Sequence, residues 1–234
     1  MIIKNKIAIV TGGSEGLGFS IVQKLLIEGC KVHIISRDTN KHENILKEVN
    51  NPNLFCHQAD VSNNKEVVEI INEIADVDIL VNNAGLWLEG NLENNKTDSI
   101  SKVIDVNVKG VIYCTKAVLP KLKRKNEGYI LNISSTSGLK GREGQSVYAA
   151  SKFAVTGFTD SLKEDLKSTN IKIAGFYPGG MNTRLFEKAG FPKNNADWMD
   201  TDKVADVIIS ILKLDDSMIL DHVVLNKRNT KTSN

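Results

Sequence analysis

The amino-acid sequence predicts an α/β fold in which a doubly wound parallel sheet of about seven strands is covered by helices on both faces. Short runs of β-branched residues alternate with longer segments whose apolar residues recur every three to four positions. This alternation requires crossover connections, which make neighbouring strands parallel and bury the sheet between helices. A glycine-rich turn after the first strand is the third observation, because ligands of such folds bind at that edge.

Seven strands and six helices follow from these patterns. The predicted strands are residues 6–10, 31–36, 53–59, 78–82, 128–134, 171–177 and 218–225. The predicted helices are residues 17–28, 41–50, 64–75, 97–125, 146–168 and 201–214. We expect one domain over residues 1–234, with 226–234 as a polar tail that frays. Residues 184–200 lack periodicity, and a lid and a plain surface connection are equally compatible with them.

Composition limits the class of protein. The chain has 234 residues, of which 41% are hydrophobic and 25% charged, so it can bury one good-sized core. The net charge of +2 predicts neither a nucleic acid nor a membrane as partner. Three cysteines without C-x-x-C spacing and four histidines without ligand spacing predict no disulfide framework and no metal site. Without a leader-like or membrane-spanning run, we expect a soluble cytoplasmic protein.

The glycine-rich turn predicts a dinucleotide site. The first strand leads into T-G-G-S-E-G-L-G at 11–18 and then into a helix. Gly12, Gly16 and Gly18 suit a turn in which the backbone approaches a pyrophosphate, with the helix N-terminus directed at the negative charge. The spacing is G-x-x-x-G-x-G, and its position after the first strand of a parallel sheet strengthens the prediction.

A second chemical signal is the stretch S-V-Y-A-A-S-K-F at 146–153. Tyr148 and Lys152 are four residues apart, so on a helix they share one face. An ammonium close to a phenol lowers the phenol's pKa toward working pH, which suits a general acid. For this pair alone, a core tyrosine and a solvated lysine on an ordinary amphipathic helix are the alternative.

Together these motifs resemble the short-chain dehydrogenase/reductase family of NAD(P)-dependent oxidoreductases, which have a Rossmann fold. The matching motifs are T-G-x-x-x-G-x-G at 11–18, Asp60-Val61, N-N-A-G at 82–85, Asn107, Ser135, Y-x-x-x-K at 148–152 and Pro178-Gly179. The match runs from residue 6 to about residue 225, with every motif in the expected order. It implies one dinucleotide-binding and catalytic domain.

The resemblance also implies where the coenzyme binds. The three glycines would hold the pyrophosphate, Asp60 and Val61 would meet the adenine, and residues 82–85 would form the wall behind the adenosine ribose. The turn at 178–183 would line the nicotinamide. The implied coenzyme-binding residues are Gly12, Ser14, Glu15, Gly16, Leu17, Gly18, Ser36, Arg37, Asp60, Val61, Asn83, Ala84, Gly85, Tyr148, Lys152, Pro178, Gly179, Met181 and Thr183.

Asn107, Ser135, Tyr148 and Lys152 form the catalytic set that the resemblance implies, with a carbonyl compound or secondary alcohol as substrate. Negative charge grows on the carbonyl oxygen when a hydride reaches its carbon, so donors and a proton are needed there. Tyr148 would supply the proton and Ser135 would hold the oxygen. Lys152 would ease ionisation of the tyrosine and grip the nicotinamide ribose, while Asn107 would hold a water that links Lys152 to solvent.

Ser36 and Arg37 predict NADP(H) rather than NAD(H). Enzymes that prefer NAD usually end the second strand with an acidic residue, whereas a small hydroxyl followed by a guanidinium suits a 2′-phosphate. Two residues argue the other way. Glu15 stands where NADP-using relatives often carry a base, and Asp38 could serve the ribose if the strand ended later.

The substrate wall, the assembly and an alternative function complete the expectations. Residues 86–88, 137–144 and 184–198 predict a partly apolar substrate wall. Members of the family commonly pair through two long helices, which here are 97–125 and 146–168, so a homodimer or homotetramer is expected. A coenzyme-binding sensor or scaffold without turnover is the alternative function, and the presence of all four catalytic residue types favours the enzyme.

Overall fold

A seven-stranded sheet forms the centre of the computed structural model, which describes residues 1–228. Its strands are β1 (Ile7–Thr11), β2 (Lys31–Ser36), β3 (Leu54–Gln58), β4 (Ile79–Asn82), β5 (Gly128–Ile133), β6 (Ile171–Pro178) and β7 (His222–Leu225). The spatial order is β3-β2-β1-β4-β5-β6-β7, and all neighbouring strands are parallel. The chain reverses its direction of travel across the sheet between β1 and β4, so the loops after these strands open a crevice.

Eight α-helices surround the sheet within the described residues. They are α1 (Gly16–Ile27), α2 (Thr39–Val49), α3 (Asn64–Glu73), α4 (Thr97–Ile104), α5 (Gly110–Lys125), α6 (Ser146–Leu166), α7 (Leu185–Lys188) and α8 (Thr201–Leu212). Two 3₁₀ turns, Leu92–Asn94 and Thr136–Gly138, and one π-helical turn, Asp105–Lys109, complete the regular structure of these residues. In this part of the chain, no helix is both long and apolar enough to cross a bilayer.

Two hydrophobic cores lie on opposite faces of the sheet. Successive side chains of a strand point to opposite faces, and β1 accordingly sends Ala8 and Val10 into one core and Ile9 into the other. Helices α1 and α8 cover the first core, and α3, α5 and α6 cover the second. Burial on both faces explains why the strands are continuous apolar runs, and the predicted doubly wound fold class is confirmed.

Two predicted elements differ from the structure. The strand predicted over 218–225 is only four residues long, because Asp215 Oδ1 accepts hydrogen bonds from Ser217 and Met218 N donates to Asp215 O, which forms a turn before it. The helix predicted over 97–125 contains a π-helical turn, Asp105–Lys109, between α4 and α5. The ends of the other predicted strands and helices differ from the observed ends by no more than two residues. Residues 229–234 of the predicted tail lie outside the described part of the chain.

Candidate active site

A cleft of about 1260 Å³ follows the carboxyl edge of the sheet from the glycine-rich turn to Tyr148. Pockets for one small ligand usually measure about 300–1000 Å³, so this cleft has room for a dinucleotide and a substrate. All nineteen residues of the predicted coenzyme set line it, and Ser135 does so as well. Asn107 lies behind the cleft wall rather than on it.

Three glycines shape the glycine-rich turn, two by their backbone angles and one by close packing. Gly12 has φ +63° and Gly16 has φ +53°, which is the left-handed region that favours glycine. A Cβ atom on Gly18 would lie 2.3 Å from the carbonyl oxygen of Gly12. Helix α1 begins at Gly16, so its unpaired backbone N–H groups open onto the cleft. This backbone cradle at a helix N-terminus fits a pyrophosphate.

Hydrogen bonds brace the glycine-rich turn against the turn that follows β4. Thr11 Oγ1 accepts from the backbone N–H groups of Asn83 and Ala84, each at 3.0 Å. In return, Asn83 Nδ2 donates to the carbonyl oxygens of Thr11 and Gly12, at 3.0 and 3.2 Å. Because β1 and β4 are neighbours in the sheet, the two turns form one rigid floor of the cleft.

Strand β2 ends at Ser36 as predicted, and Ser36 lines the end of the cleft where the adenosine is expected. Asp38 does not extend the strand, because its Oδ1 caps α2 by accepting from Lys41 N at 3.2 Å. The Arg37 guanidinium is 61% exposed and lies 3.6 Å from Asp60 Oδ2. Burial raises the pKa of Asp60, but hydrogen bonds from Ser62 and the charge of Arg37 outweigh it, so the net pKa is lowered.

Two lysines that the sequence interpretation missed lie beside Glu15. Lys41 Nζ is 2.7 Å from Glu15 Oε2, and Lys188 contacts the other carboxylate oxygen. Burial raises the pKa of Glu15, but the hydrogen bonds from Lys188 and Lys41 together lower it by more. The pKa of Glu15 therefore lies below its usual value. Glu15 therefore forms ion pairs with two lysines, and all three side chains line the cleft. The missed signal was a second basic residue four positions after Arg37, in the first turn of α2.

Tyr148 lies at the far end of the cleft, only 5% exposed. Its ring packs against Trp87, with 4.3 Å between ring centroids. Burial raises the pKa of Tyr148 to about 12, and a hydrogen bond with Ser135 acts in the opposite direction. Lys152 does not lower this pKa as expected, because its ammonium lies 5.8 Å from the ring centroid and donates to the carbonyl oxygen of Ile133 instead.

Lys152 is buried on the next turn of α6. Its Nζ donates to the carbonyl oxygen of Ile133 at 3.0 Å, and burial lowers its pKa to about 8. A Cβ atom built on Gly85 would lie 3.7 Å from Lys152 Nζ and 3.5 Å from Asn107 Oδ1. The lysine and the asparagine therefore flank the same short piece of backbone.

Asn107 is neither exposed nor a helix cap, because it lies in the π-helical turn with 1% of its surface accessible. Its Oδ1 accepts from Leu86 N at 2.7 Å, and its Nδ2 donates to Leu86 O at 2.9 Å and to Ser151 Oγ at 3.0 Å. The side chain thus connects the segment after β4 to α6, the helix that carries Tyr148 and Lys152. Such π-helical turns occur often at functional sites.

Aromatic side chains form a wall of the cleft beside Tyr148. Phe186 packs edge-on against Trp87 at 4.7 Å and against Trp198 at 5.2 Å between centroids. Lys193 Nζ is 2.7 Å from Glu89 Oε2, which ties the segment after α7 to the segment after β4. Residues 184–200 therefore cover the cleft and are not a plain surface connection.

Comparison with known proteins places the chain in a family. The model of the short chain dehydrogenases matches residues 6–193, so the chain belongs to the short-chain dehydrogenase/reductase family. An uncharacterized oxidoreductase of Staphylococcus aureus is 30% identical over 90% of this chain and 92% of its own length. Another, from Staphylococcus saprophyticus, is 34% identical over 78% of this chain and 77% of its own. The chain is an NAD(P)-dependent dehydrogenase or reductase.

Solved structures agree with this assignment. The closed form of a serine dehydrogenase complexed with NADP⁺ has a TM-score of 0.90 and 28% identity, over 97% of both chains. ElxO with NADP bound has a TM-score of 0.85 and 30% identity, over 94% of this chain and 96% of its own. A Tyr-to-Phe variant of ElxO with NADPH bound gives the same values. These neighbours with bound NADP(H) support binding of a nicotinamide coenzyme by this fold.

Proposed function

We propose that the protein is a single dinucleotide-binding and catalytic domain, residues 1–234, that reduces a small carbonyl compound with NADPH and uses Tyr148 as general acid. One observation carries the proposal: Ser135, Tyr148 and Lys152 lie at the end of the same cleft that the glycine-rich turn opens. The reduced nicotinamide, when bound, supplies the hydride that reaches the carbonyl carbon. All other steps depend on this chain's own side chains.

Ser135 and Tyr148 would act on the carbonyl oxygen. The backbone N–H of Ser137 donates to Ser135 Oγ at 3.1 Å, which orients this hydroxyl beside Tyr148. When substrate binds, the Ser135 proton would turn from its hydrogen bond with Tyr148 to the carbonyl oxygen. Tyr148 would donate a second hydrogen bond and transfer its proton as negative charge develops on the oxygen. Because burial raises the pKa of Tyr148 to about 12, the phenol is protonated at neutral pH, as an acid must be.

Lys152 and Asn107 would act on Tyr148 and on the bound coenzyme. The Lys152 ammonium would grip the nicotinamide ribose hydroxyls and would stabilise the phenolate that forms after proton transfer. Asn107 would hold the segment at Leu86 and support a water that links Lys152 to solvent. The amide of Asn107 is already engaged by Leu86 and Ser151, so we assign it a positioning role.

We infer a preference for NADPH from the basic groups at the adenosine end. Arg37 and Lys41 line the cleft beyond Ser36, and Asp38 is engaged in capping α2. Replacing Arg37 with methionine should raise KM for NADPH by about tenfold to a hundredfold and leave KM for NADH nearly unchanged, because only the former has a 2′-phosphate for the guanidinium. Steady-state kinetics with both coenzymes measures this.

The matched control for Arg37→Met is Arg124→Met, at the end of α5 and outside the cleft. This variant should change neither KM. If Arg37→Met raised KM equally for NADPH and NADH, or if wild type preferred NADH, Arg37 would not be the group that binds the 2′-phosphate.

The direct test of the proposed function follows coenzyme oxidation at 340 nm over a panel of ketones, aldehydes, diketones and 3-oxoacyl thioesters. Serine and other 3-hydroxy acids are added in the oxidative direction, because serine is the substrate named for one structural neighbour. Turnover of at least one carbonyl compound supports the proposal. Coenzyme binding without turnover of any would favour the sensor or scaffold function instead.

We also propose that the protein assembles as a homodimer or homotetramer through the helices at 97–125 and 146–168. Phe153, a large apolar residue on α6 that is 45% exposed, would lie in this interface. Light scattering at micromolar concentration should give at least twice the mass of one chain, and Phe153→Asp should shift the protein toward monomer. A wild-type monomer would contradict the proposal.

A reducing compartment suits the three thiols. Cys30 and Cys114 are buried, Cys56 is partly buried, and all three are free. Burial raises the pKa of Cys114 to about 12, which keeps this thiol protonated and unreactive. We therefore propose a cytoplasmic location.

A further inference from the structure

We propose that Gln145 is a specificity-determining residue that donates a hydrogen bond to a second oxygen of the substrate, close to the carbonyl that is reduced. The proposal rests on the proposed function and deepens it, because it assigns the substrate to a chemical class. That class is the carbonyl compounds with another oxygen one or two carbons away, such as vicinal diketones and 2-hydroxyketones.

The position of Gln145 places it beside the reacting groups. It lines the cleft together with Ser135 and Tyr148. It is the N-cap residue that directly precedes α6, three positions before Tyr148, so it lies within one helical turn of Tyr148 at the same end of the cleft. A substrate whose carbonyl oxygen reaches Tyr148 therefore has its neighbouring carbons near Gln145.

Ser137 fixes the orientation of the Gln145 amide. Ser137 Oγ donates to Gln145 Oε1 at 2.9 Å, and Ser137 is itself buried. The 3₁₀ turn that carries Ser137 is pressed against α6, since a Cβ atom on Gly138 would lie 2.8 Å from the carbonyl oxygen of Lys152. Ser137 therefore holds Oε1 of Gln145 toward the protein.

The nitrogen of the same amide is left for a ligand. Within residues 1–228, Gln145 Nε2 makes no hydrogen bond to protein, although its two N–H groups are donors. The residue occupies the N-cap position of α6, yet its side chain makes no capping bond. Because the side chain is not engaged in capping the helix, it is available to line the cleft.

A neutral amide donor selects among substrates by hydrogen bonding. A site with an ordered donor binds an acceptor oxygen and discriminates against an analogue that lacks it. Because Gln145 is only partly buried and the hydrogen bond is between neutral groups, we expect discrimination of about tenfold rather than of several orders of magnitude. The rings of Trp87 and Phe186 pack beside Tyr148 and supply no competing donor, because Phe186 has none and Trp87 Nε1 already donates to Glu89 Oε2 at 3.1 Å.

The test compares butane-2,3-dione with butan-2-one, which have the same carbon chain. The measured quantity is the ratio of kcat/KM for the diketone to kcat/KM for the monoketone, so the difference in intrinsic reactivity cancels between variants. Gln145→Met, which has a similar size and no donor, should lower the ratio about tenfold. Gln23→Met on α1, outside the cleft, is the control and should leave the ratio unchanged.

Gln145→Glu separates recognition from a merely structural role. A carboxylate still accepts from Ser137 Oγ but has no donor, so our proposal predicts that the ratio falls at least as far as in Gln145→Met. A structural role predicts instead that Gln145→Glu keeps the wild-type ratio. That result, or an unchanged ratio in Gln145→Met, would overturn the proposal.

A binding measurement keeps the proposal testable if neither ketone is turned over. Ligand-observed NMR titration of the protein loaded with NADP⁺ gives dissociation constants for both ketones without chemistry. Wild type should bind the diketone about tenfold more tightly than the monoketone, and Gln145→Met should bind them about equally. Equal binding by wild type would overturn the role of Gln145, whereas tighter diketone binding without any turnover would contradict the proposed reductase function alone.

Discussion

Replacing Tyr148 with phenylalanine should lower kcat for carbonyl reduction by about a thousandfold while NADPH binding is retained. A positioned general acid typically contributes about 10²–10⁴ in rate, and phenylalanine removes only the hydroxyl. The ring that packs on Trp87 at 4.3 Å remains, so the wall of the cleft should keep its shape.

Tyr113→Phe is the matched control for this experiment. Tyr113 lies on α5 outside the cleft, so its hydroxyl should not affect turnover. Steady-state kinetics gives kcat, and calorimetric titration with NADPH gives the dissociation constant. If Tyr148→Phe kept more than about a tenth of the wild-type kcat, another group would have to supply the proton.

Replacing Gly18 with alanine should weaken NADPH binding by about a hundredfold, which corresponds to about 2.7 kcal/mol. The added Cβ atom would lie 2.3 Å from Gly12 O and 2.5 Å from Asn83 Nδ2, so the glycine-rich turn must move. Moving it also disturbs the hydrogen bonds from Asn83 Nδ2 to Thr11 and Gly12. Calorimetric titration with NADPH measures the loss.

Gly157→Ala controls for the same substitution elsewhere. Gly157 is also inside a helix, α6, but a Cβ atom there would meet nothing within 4 Å. Alanine favours helix over glycine by about 1 kcal/mol, so this variant should be as stable as wild type or more stable and should bind NADPH normally. Circular dichroism of Gly18→Ala checks that it folds. A folded Gly18→Ala protein with wild-type affinity would mean that the turn does not hold the pyrophosphate.

The fold class was predicted from local patterns, and most of the residues that line the cleft were predicted from the resemblance to a family whose motifs are short and local. The order of short apolar strands and amphipathic helices determines a doubly wound sheet, and the turn after β1 lies at its carboxyl edge. The backbone angles of the turn, φ +63° at Gly12 and +53° at Gly16, favour glycine. The requirement is local, so both positions can be recognised from the sequence. The catalytic roles of Asn107, Ser135, Tyr148 and Lys152 stay predictions.

Contacts between distant segments could not be predicted from local patterns. The pairing of Glu15 with Lys41 and Lys188 joins residues that are up to 173 positions apart. The raised pKa of Tyr148 results from burial by Trp87 and its neighbours, whereas the sequence suggested only the nearby lysine. In the sequence, Asn107 is indistinguishable from any other helical asparagine. Its three hydrogen bonds to Leu86 and Ser151 depend on the tertiary structure. The Ser137–Gln145 bond likewise depends on how the 3₁₀ turn packs on α6.

The central claim is that a hydride passes from NADPH to a carbonyl carbon in the cleft beside Tyr148. The most direct measurement uses NADPH that carries deuterium in both positions at C4 of the nicotinamide, with the carbonyl panel and mass spectrometry of the products. We predict an alcohol with one deuterium on the former carbonyl carbon, formed by wild type and strongly reduced in Tyr148→Phe. Wild-type protein that binds NADPH but transfers no deuterium to any carbonyl compound of the panel would contradict the account.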